Sequence, residues 1–325
     1  MKNKLFQGMA AAFLILVALL LMGGDRVRTI DNLANVENYN YKGNYDKEKA
    51  VPLKACDYSF WETVLLPGTG QLSGEIADFC VQGIAFTPHY LLLTAYAVNV
   101  QENGGLFVYD RKTGSFLGRI PMRKGSHLGG IAYDGKNVWV CHSGQQVLSR
   151  ISYEALRGTV KQGMFTVAGA EEDYPVEEEP SCLTAENGQL FAATFREKEK
   201  SRMTAYRYDE NRDRLVAENV YQIPPKVQGV AFDEAGNVWL STSYGRKNSS
   251  FLLKYKTLAA VGEEGGKPET IVELPPCSEE LAIQNGKLYV VFESACRKYK
   301  EGTDGRGKSR SPLDKILLLE KFSEI

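Results

Sequence analysis

"VQGVAFDEAGNVWLSTS", Val227 to Ser243, restates "LGGIAYDGKNVWVCHS", Leu128 to Ser143. Three further versions of the phrase begin at Val81 ("VQGIAFTPHYLLLTAYA"), Pro180 ("PSCLTAENGQLFAATFRE") and Cys277 ("CSEELAIQNGKLYVVFES"). Aligned, they place Gly83, Gly130, Cys182, Gly229 and Glu280 in one column, at spacings of 47, 52, 47 and 51 residues. A period near 50 residues marks stacked supersecondary units.

Each unit has the same internal order. A short apolar strand (A) leads into a tight turn, "DGKN", "ENGQ", "EAGN" or "QNGK". Asn and Gly supply the positive φ that hairpin turns need. A second apolar strand (B) follows. The third (C) reads "GLFVYD", "SRISY", "TAYRYD", "FLLKYK" or "KILLLEK", and the fourth (D) "SFLGRIPM", "GMFTV", "LVAENVYQIP" or "TIVELP". Four antiparallel strands repeated five times, without helical periodicity, predict an all-β five-bladed β-propeller. A β-sandwich, the alternative, does not repeat its sequence at a fixed period. The fifth unit ends after its C strand, and "FWETVLLPG", Phe60 to Gly68, stands alone before the first. It resembles "TIVELPP" and is expected to supply the missing D strand, which closes the ring and leaves no exposed edge.

The expected organisation is an N-terminal membrane or signal segment (1–24), a polar stalk (25–56) and the propeller (57–325). "MKNK" precedes the uncharged run Leu5–Gly24, long enough to span a bilayer as a helix. An uncleaved anchor is expected, because Met22 at −3 is a poor cleavage residue; a cleaved signal is the alternative. Either places the propeller outside the cytoplasm, anchored at the cell surface or secreted. The "QGIAF…VYDRKTG" and "LGGIAYDGKNVWVCHS" phrases resemble those of secreted and membrane-anchored bacterial β-propeller proteins. More distantly, residues 57–325 resemble the NHL and gluconolactonase-like propellers. Gluconolactonase-like enzymes hold a divalent metal with Glu, Asn and Asp; that set has no counterpart on these strands, so the resemblance carries no lactonase activity.

Strand direction brings the D–A and B–C loops to one face, at the channel mouth, where propeller ligands bind. Strand-A starts put Gln82, Gly129, Ser181, Gln228 and Glu279 there, with Cys182 and Glu280 next. Strand-B ends add Tyr96, His142, Phe195, Tyr244 and Glu293, and Arg196, Arg246 and Arg297 lie just beyond. His127 and His142 share a hairpin. Without a carboxylate fixed beside them they make a poor metal site, so no cofactor is expected and a divalent metal in the channel is the lesser alternative. The ligand set is taken as Gln82, Tyr96, His127, His142, Gln228, Tyr244, Arg246, Glu279, Glu280, Glu293 and Arg297. The function expected is binding of a small molecule, a cell-wall glycan or a partner protein. The alternatives are a hydrolase or lyase using Glu280 and Glu293 with His142, and a purely structural scaffold. A net charge of −1 excludes a nucleic-acid role based on basic surface, and the chain is expected to act as a monomer. Six cysteines, all beyond the apolar run, suggest disulfides in an exported chain. The expected pairs are Cys277–Cys296 and Cys141–Cys182, with Cys56 and Cys80 left open and buried free thiols as the alternative.

Overall fold

The computed structural model describes residues 50–72, 78–165, 171–262 and 266–324. The apolar run Leu5–Gly24 lies outside them, and among the described residues no helix is long and apolar enough to cross a membrane. The first described strands are β1 (Val51–Pro52) and β2 (Tyr58–Trp61). Blade one is β3 (Phe79–Phe86), β4 (Tyr90–Ala97), β5 (Asn103–Asp110) and β6 (Phe116–Lys124). Blade two is β7 (Ile131–Tyr133), β8 (Asn137–His142), β9 (Val147–Ser152) and β10 (Glu172–Pro175). Blade three is β11 (Cys182–Glu186), β12 (Gln189–Ala193), β13 (Ser201–Asp209) and β14 (Arg214–Ile223). Blade four runs β15 (Val227–Phe232), β16 (Val238–Thr242), β17 (Ser250–Tyr255) and β18 (Thr270–Leu274), with β1 added in parallel outside β18. Blade five is β19 (Ser278–Gln284), β20 (Lys287–Phe292), β21 (Ile316–Leu319) and β2. Each blade is an antiparallel meander, as the repeat predicts.

The N-terminal strand does close the ring. β2 runs antiparallel to β21, with Tyr58 opposite Leu319 and Trp61 opposite Ile316. It is displaced from the expected Phe60–Gly68: the chain turns after Trp61, and Val64 and Leu66 are buried in the apolar layer between blades five and one. Blade two also departs from expectation. Its outer strand is β10, not "GMFTV". After β9 the chain forms helix α1 (Tyr153–Gln162), whose Tyr153 and Leu156 are buried and whose Val160 packs beside them. That spacing puts the three on one helix face, against the layer between blades one and two. Shorter helices are α2 (Leu258–Gly262) and α3 (Arg297–Lys300).

Five apolar layers fill the five spaces between neighbouring blades. The repeated phrase exists to build them. Asp134 Oδ1 accepts the backbone N–H groups of Lys136 and Asn137, which shapes the A–B turn, while its Oδ2 accepts from Trp139 Nε1 at 2.6 Å. Asp233 does the same for Ala235, Asn237 and Trp239. One carboxylate thus fixes the hairpin and satisfies the only polar atom of a fully buried indole. Trp139 then fills the layer between blades two and three, and Trp239 the layer between blades four and five.

At the axis the repeat column converges on Glu280. Its Oε2 accepts the N–H groups of Ile84 and Ile131, each at 3.0 Å, and its Oε1 that of Leu183 at 2.9 Å. Three blades are therefore tied to a fourth side chain from blade five. Glycine at the same column leaves the room. A Cβ on Gly83 would stand 2.4 Å from Thr94 Oγ1 and 2.9 Å from Glu280 Oε2, and one on Gly130 2.5 Å from Leu183 N. One on Gly229 would meet Glu280 Cα at 2.8 Å. Burial pushes the Glu280 carboxyl well up, and the three N–H donors pull against it.

Two outcomes test this frame. Deleting residues 57–68 removes β2 and exposes β21 as an edge, so circular dichroism should show loss of the cooperative thermal transition; a melt at unchanged temperature would refute ring closure. In Glu280→Gln the amide NH₂ must face at least one backbone N–H. An unsatisfied buried donor costs about 1–3 kcal/mol, so denaturant unfolding should show a loss of that order, and a change within about 0.5 kcal/mol would place Glu280 outside the framework.

Candidate functional site

Strand A carries a β-bulge in blades one, four and five. The register jumps between Val81 and Gly83, between Val227 and Gly229, and between Ser278 and Leu281. A bulge re-aims side chains, and in blade five it falls at two neighbouring glutamates. Glu280 enters the axis, while Glu279 turns to the channel mouth beside Glu293 from the end of β20. The extra residues of the other two bulges are Gln82 and Gln228. Gln82 Nε2 donates to Glu293 Oε2 at 3.1 Å, and Gln228 Nε2 to Glu279 Oε1 at 3.4 Å.

This acidic pair floors a cavity of about 1260 Å³. Both residues are almost fully buried, at 2 % and 8 % exposure, yet both line the cavity. Burial and the Glu293 charge push Glu279 well up. Glu293 is also raised by burial, against the pull of Tyr299 and the Lys298 ammonium. Burial and mutual repulsion disfavour a second negative charge here, so a proton held by the pair is favoured. Helix α3 covers one side of the floor. Lys298 Nζ donates to Tyr96 Oη at 2.7 Å and lies 4.9 and 5.2 Å from the ring centres of Tyr96 and Tyr299. The Arg246 guanidinium stacks on Tyr299 at 4.3 Å and bonds to Asp304 Oδ1 at 2.8 Å. His127 stacks on Tyr96 with centres 4.2 Å apart. Its residue is open to the mouth, while the surrounding wall and Lys298 draw its pKa down.

Most of the expected set therefore meets at one place. Tyr96, His127, Gln228, Tyr244, Arg246, Glu279 and Glu293 line the cavity, and Gln82 lies against its floor. Three do not join them. Glu280 lies at the axis beneath. His142 is fully buried between Ser126 and Ser149. Arg297 is exposed and pairs with Glu301 at 3.0 Å within α3. Sequence reasoning missed Lys298 and Tyr299, two residues past a position it singled out; the basic "CRKYK" was visible, but nothing in it showed that a helix would fold over the mouth. Among the described residues no group of three or more His, Cys, Asp and Glu side chains stands ready to hold a metal.

The expected disulfides do not form. Cys296 pairs with Cys80, with Cα atoms 5.4 Å apart, and Cys56, Cys141, Cys182 and Cys277 are free. Ring closure makes the first and last blades neighbours, which brings the start of β3 against the loop after β20. Cys277 instead turns its Sγ toward Gly245 O at 3.9 Å. Cys141 and Cys182 enter different layers, between blades two and three and between blades three and four. The disulfide anchors α3 at its N-cap, Cys296.

Among solved structures the chain is similar to the glutaminyl cyclase of Myxococcus xanthus, with a TM-score of 0.52 and 11 % identity over 83 % of this chain and 98 % of that one. Another match is the hydrazine synthase of Kuenenia stuttgartiensis, with a TM-score of 0.40, 12 % identity, and 69 % and 59 % coverage. The first supports a β-propeller; the second is too distant to carry an argument. No family model matches the chain, nor does any curated protein, so the NHL and gluconolactonase-like resemblance gains no support beyond the propeller fold.

Peptide mapping without reductant should recover Cys80 linked to Cys296, and a Cys277–Cys296 peptide would overturn the pairing. Replacing Cys80 with Ala should cost about 2–4 kcal/mol, a usual range for a disulfide closing a long loop.

Proposed function

We propose that the protein binds a small zwitterionic molecule, of amino-acid or short-peptide kind, at the channel mouth. The Glu279–Glu293 pair carries this proposal. Burying carboxylates is costly unless they are compensated, and the fold does not require them there: blades one and four place Gln82 and Gln228 at the same bulge. A ligand ammonium can replace the shared proton and leave both carboxylates ionised, a gain that no neutral group offers. The rest of the lining suits the other end of such a molecule. Four carboxylates (Glu178, Glu179, Glu279, Glu293) face five cations (Arg196, Arg246, Lys247, Lys298, Arg306). That balance favours a molecule bearing both signs over one of a single sign. Lys298 is the nearest donor for a ligand carbonyl or carboxylate. The cavity is somewhat larger than most small-molecule pockets, so a peptide fragment of wall material fits the same chemistry. A sugar without an amino group, or a docked protein, would use the aromatic rim and bypass the floor.

The site is proposed to face an oxidising space outside the cytoplasm. A disulfide supports that setting, as does the basic and apolar N-terminus of the sequence.

A second function is favoured by the same shared proton. A pair holding one proton can act as general acid and base on a bound amine or amide.

Calorimetry on the full chain with free amino acids, dipeptides and their N-acetylated counterparts separates these possibilities. The amines should bind and the acetylated forms should not. Glu293→Gln should weaken binding at least about tenfold, near 1.4 kcal/mol. Binding should fall as pH falls, because protonating the pair removes the charge that the ammonium needs. Equal affinity for acetylated ligands, or an unchanged Kd in both Glu279→Gln and Glu293→Gln, would defeat the proposal.

A further inference from the structure

The acidic floor leaves a second set of polar groups unused. Ser126 lines the same cavity, on the segment that joins β6 to β7. Its Oγ lies 3.0 Å from His142 Nδ1, at the end of β8. His142 Nε2 lies 2.7 Å from Ser149 Oγ on β9, and Ser149 donates to Asp173 Oδ1 on β10 at 2.8 Å. Arg123 from β6 pairs with Asp173, and Glu171 Oε2 stands 3.8 Å from His142 Nε2. Hydroxyl, imidazole, hydroxyl and carboxylate thus form one line from the mouth to the blade edge. The strand-B ends of the other blades, Tyr96, Phe195, Tyr244 and Glu293, offer no histidine for such a line.

Counting protons gives the line a direction. Burial opposes the Asp173 charge, but hydrogen bonds from Arg123 and Ser149 outweigh it and hold the carboxyl below its usual range. An ionised Asp173 only accepts. Ser149 has one proton, and it goes to Asp173, so toward His142 the Ser149 oxygen must accept. The imidazole proton is therefore on Nε2. Burial and the Arg123 charge draw the His142 pKa down to about 4, so at neutral pH the ring carries that one proton only. Nδ1 is left with a lone pair, and it accepts the Ser126 hydroxyl proton. The Leu128 N–H, 3.3 Å from Ser126 Oγ, fills an acceptor position on the same oxygen and leaves the donor direction unchanged. A hydroxyl that donates to an unprotonated imidazole nitrogen, whose other nitrogen is oriented through Ser149 to a carboxylate, is the arrangement of an activated nucleophile.

We propose that Ser126 is a catalytic nucleophile, with His142 as its base, in a second site that transfers the acyl group of a carboxylic ester to water. Ser126 Oγ attacks the acyl carbon while its proton passes to His142 Nδ1. The bond from carbon to the leaving oxygen breaks, and that oxygen takes the proton from His142 as the alcohol departs. A water then attacks the acyl-serine and gives its proton to His142. The acid is released, and Ser126 recovers its proton. The charge that His142 carries midway faces Asp173 through Ser149 and stands beside Glu171. Ser149 and Asp173 are positioning residues in this scheme. The site shares the mouth with the acidic pair but none of its groups, so either can fail alone.

The test treats the full chain with a fluorophosphonate probe and with p-nitrophenyl acetate, then locates the adduct by peptide mass spectrometry. The expected result is one adduct, on Ser126, absent from Ser126→Ala. His142→Gln should slow labelling at least about 100-fold, the lower range for loss of a general base. Because that buried change can unfold blade two, Ser149→Ala and Ser149→Thr give an independent readout: Ala should slow labelling in protein that circular dichroism shows to be folded, and Thr, which keeps the hydroxyl, should restore it. Amine binding by Ser126→Ala, measured in parallel, should be unchanged, which separates this site from the acidic floor. Folded protein unlabelled at Ser126 by both reagents, or labelling indifferent to Ser149→Ala, would overturn the proposal and leave the line as a structural network.

Discussion

Three backbone N–H groups, from blades one, two and three, point at the two oxygens of Glu280. Neighbouring propeller blades share no strand pairing, so apolar layers alone would let them slide. The carboxylate adds fixed direction at the axis. It also demands space: two residues of its column, Gly83 and Gly229, are glycines pressed against Glu280, while the third glycine, Gly130, makes room for the blade-three backbone at Cys182 and Leu183. The repeat is therefore not five copies of one solution. Blades one and four give up a side chain where Glu280 reaches across, and β2 closes the ring.

The same local device separates the framework from the candidate site. Without the bulge in β19, Glu279 and Glu280 would simply face opposite sides of a strand. With it, one carboxylate is satisfied by backbone donors and the other is held against Glu293. The first is compensated within the fold. The second pair is met by the amides of Gln82 and Gln228 and by Lys298, but it lies at the floor of an open cavity. That contrast distinguishes an acid that serves folding from acids available to a ligand. The disulfide belongs to the second group, since it holds α3, with Lys298 and Tyr299, over the floor rather than pinning the core.

Several elements were legible from the chain alone. Period, turn residues and strand alternation are local signals that depend on neighbours a few positions away. They were enough for the five units, for the antiparallel meander within each, and for an N-terminal strand in blade five. They also brought the right faces together, which is why Tyr96, Gln228, Tyr244 and Glu293 meet although they belong to different blades. The spacing of Tyr153, Leu156 and Val160 was a helical signal as well, hidden by the expectation of a fourth strand directly after the third.

What the sequence determined by itself was the architecture, because the repeats record their hairpins locally: turns containing Asn and Gly in four of the five, with an Asp opening the turn and a Trp after it in blades two and four. What only the tertiary structure decided was partnership at the axis and the mouth. Cys296 could not be matched to Cys80 without the path of the loop after β20, which carries it against β3. Glu280 could not be told from Glu279 without the backbone N–H groups that three other blades bring to it, and His142 could not be placed behind the wall without Ser126 and Ser149 on either side. Those contacts join residues far apart in the chain, and nothing in a short stretch of sequence encodes which distant group will arrive beside it.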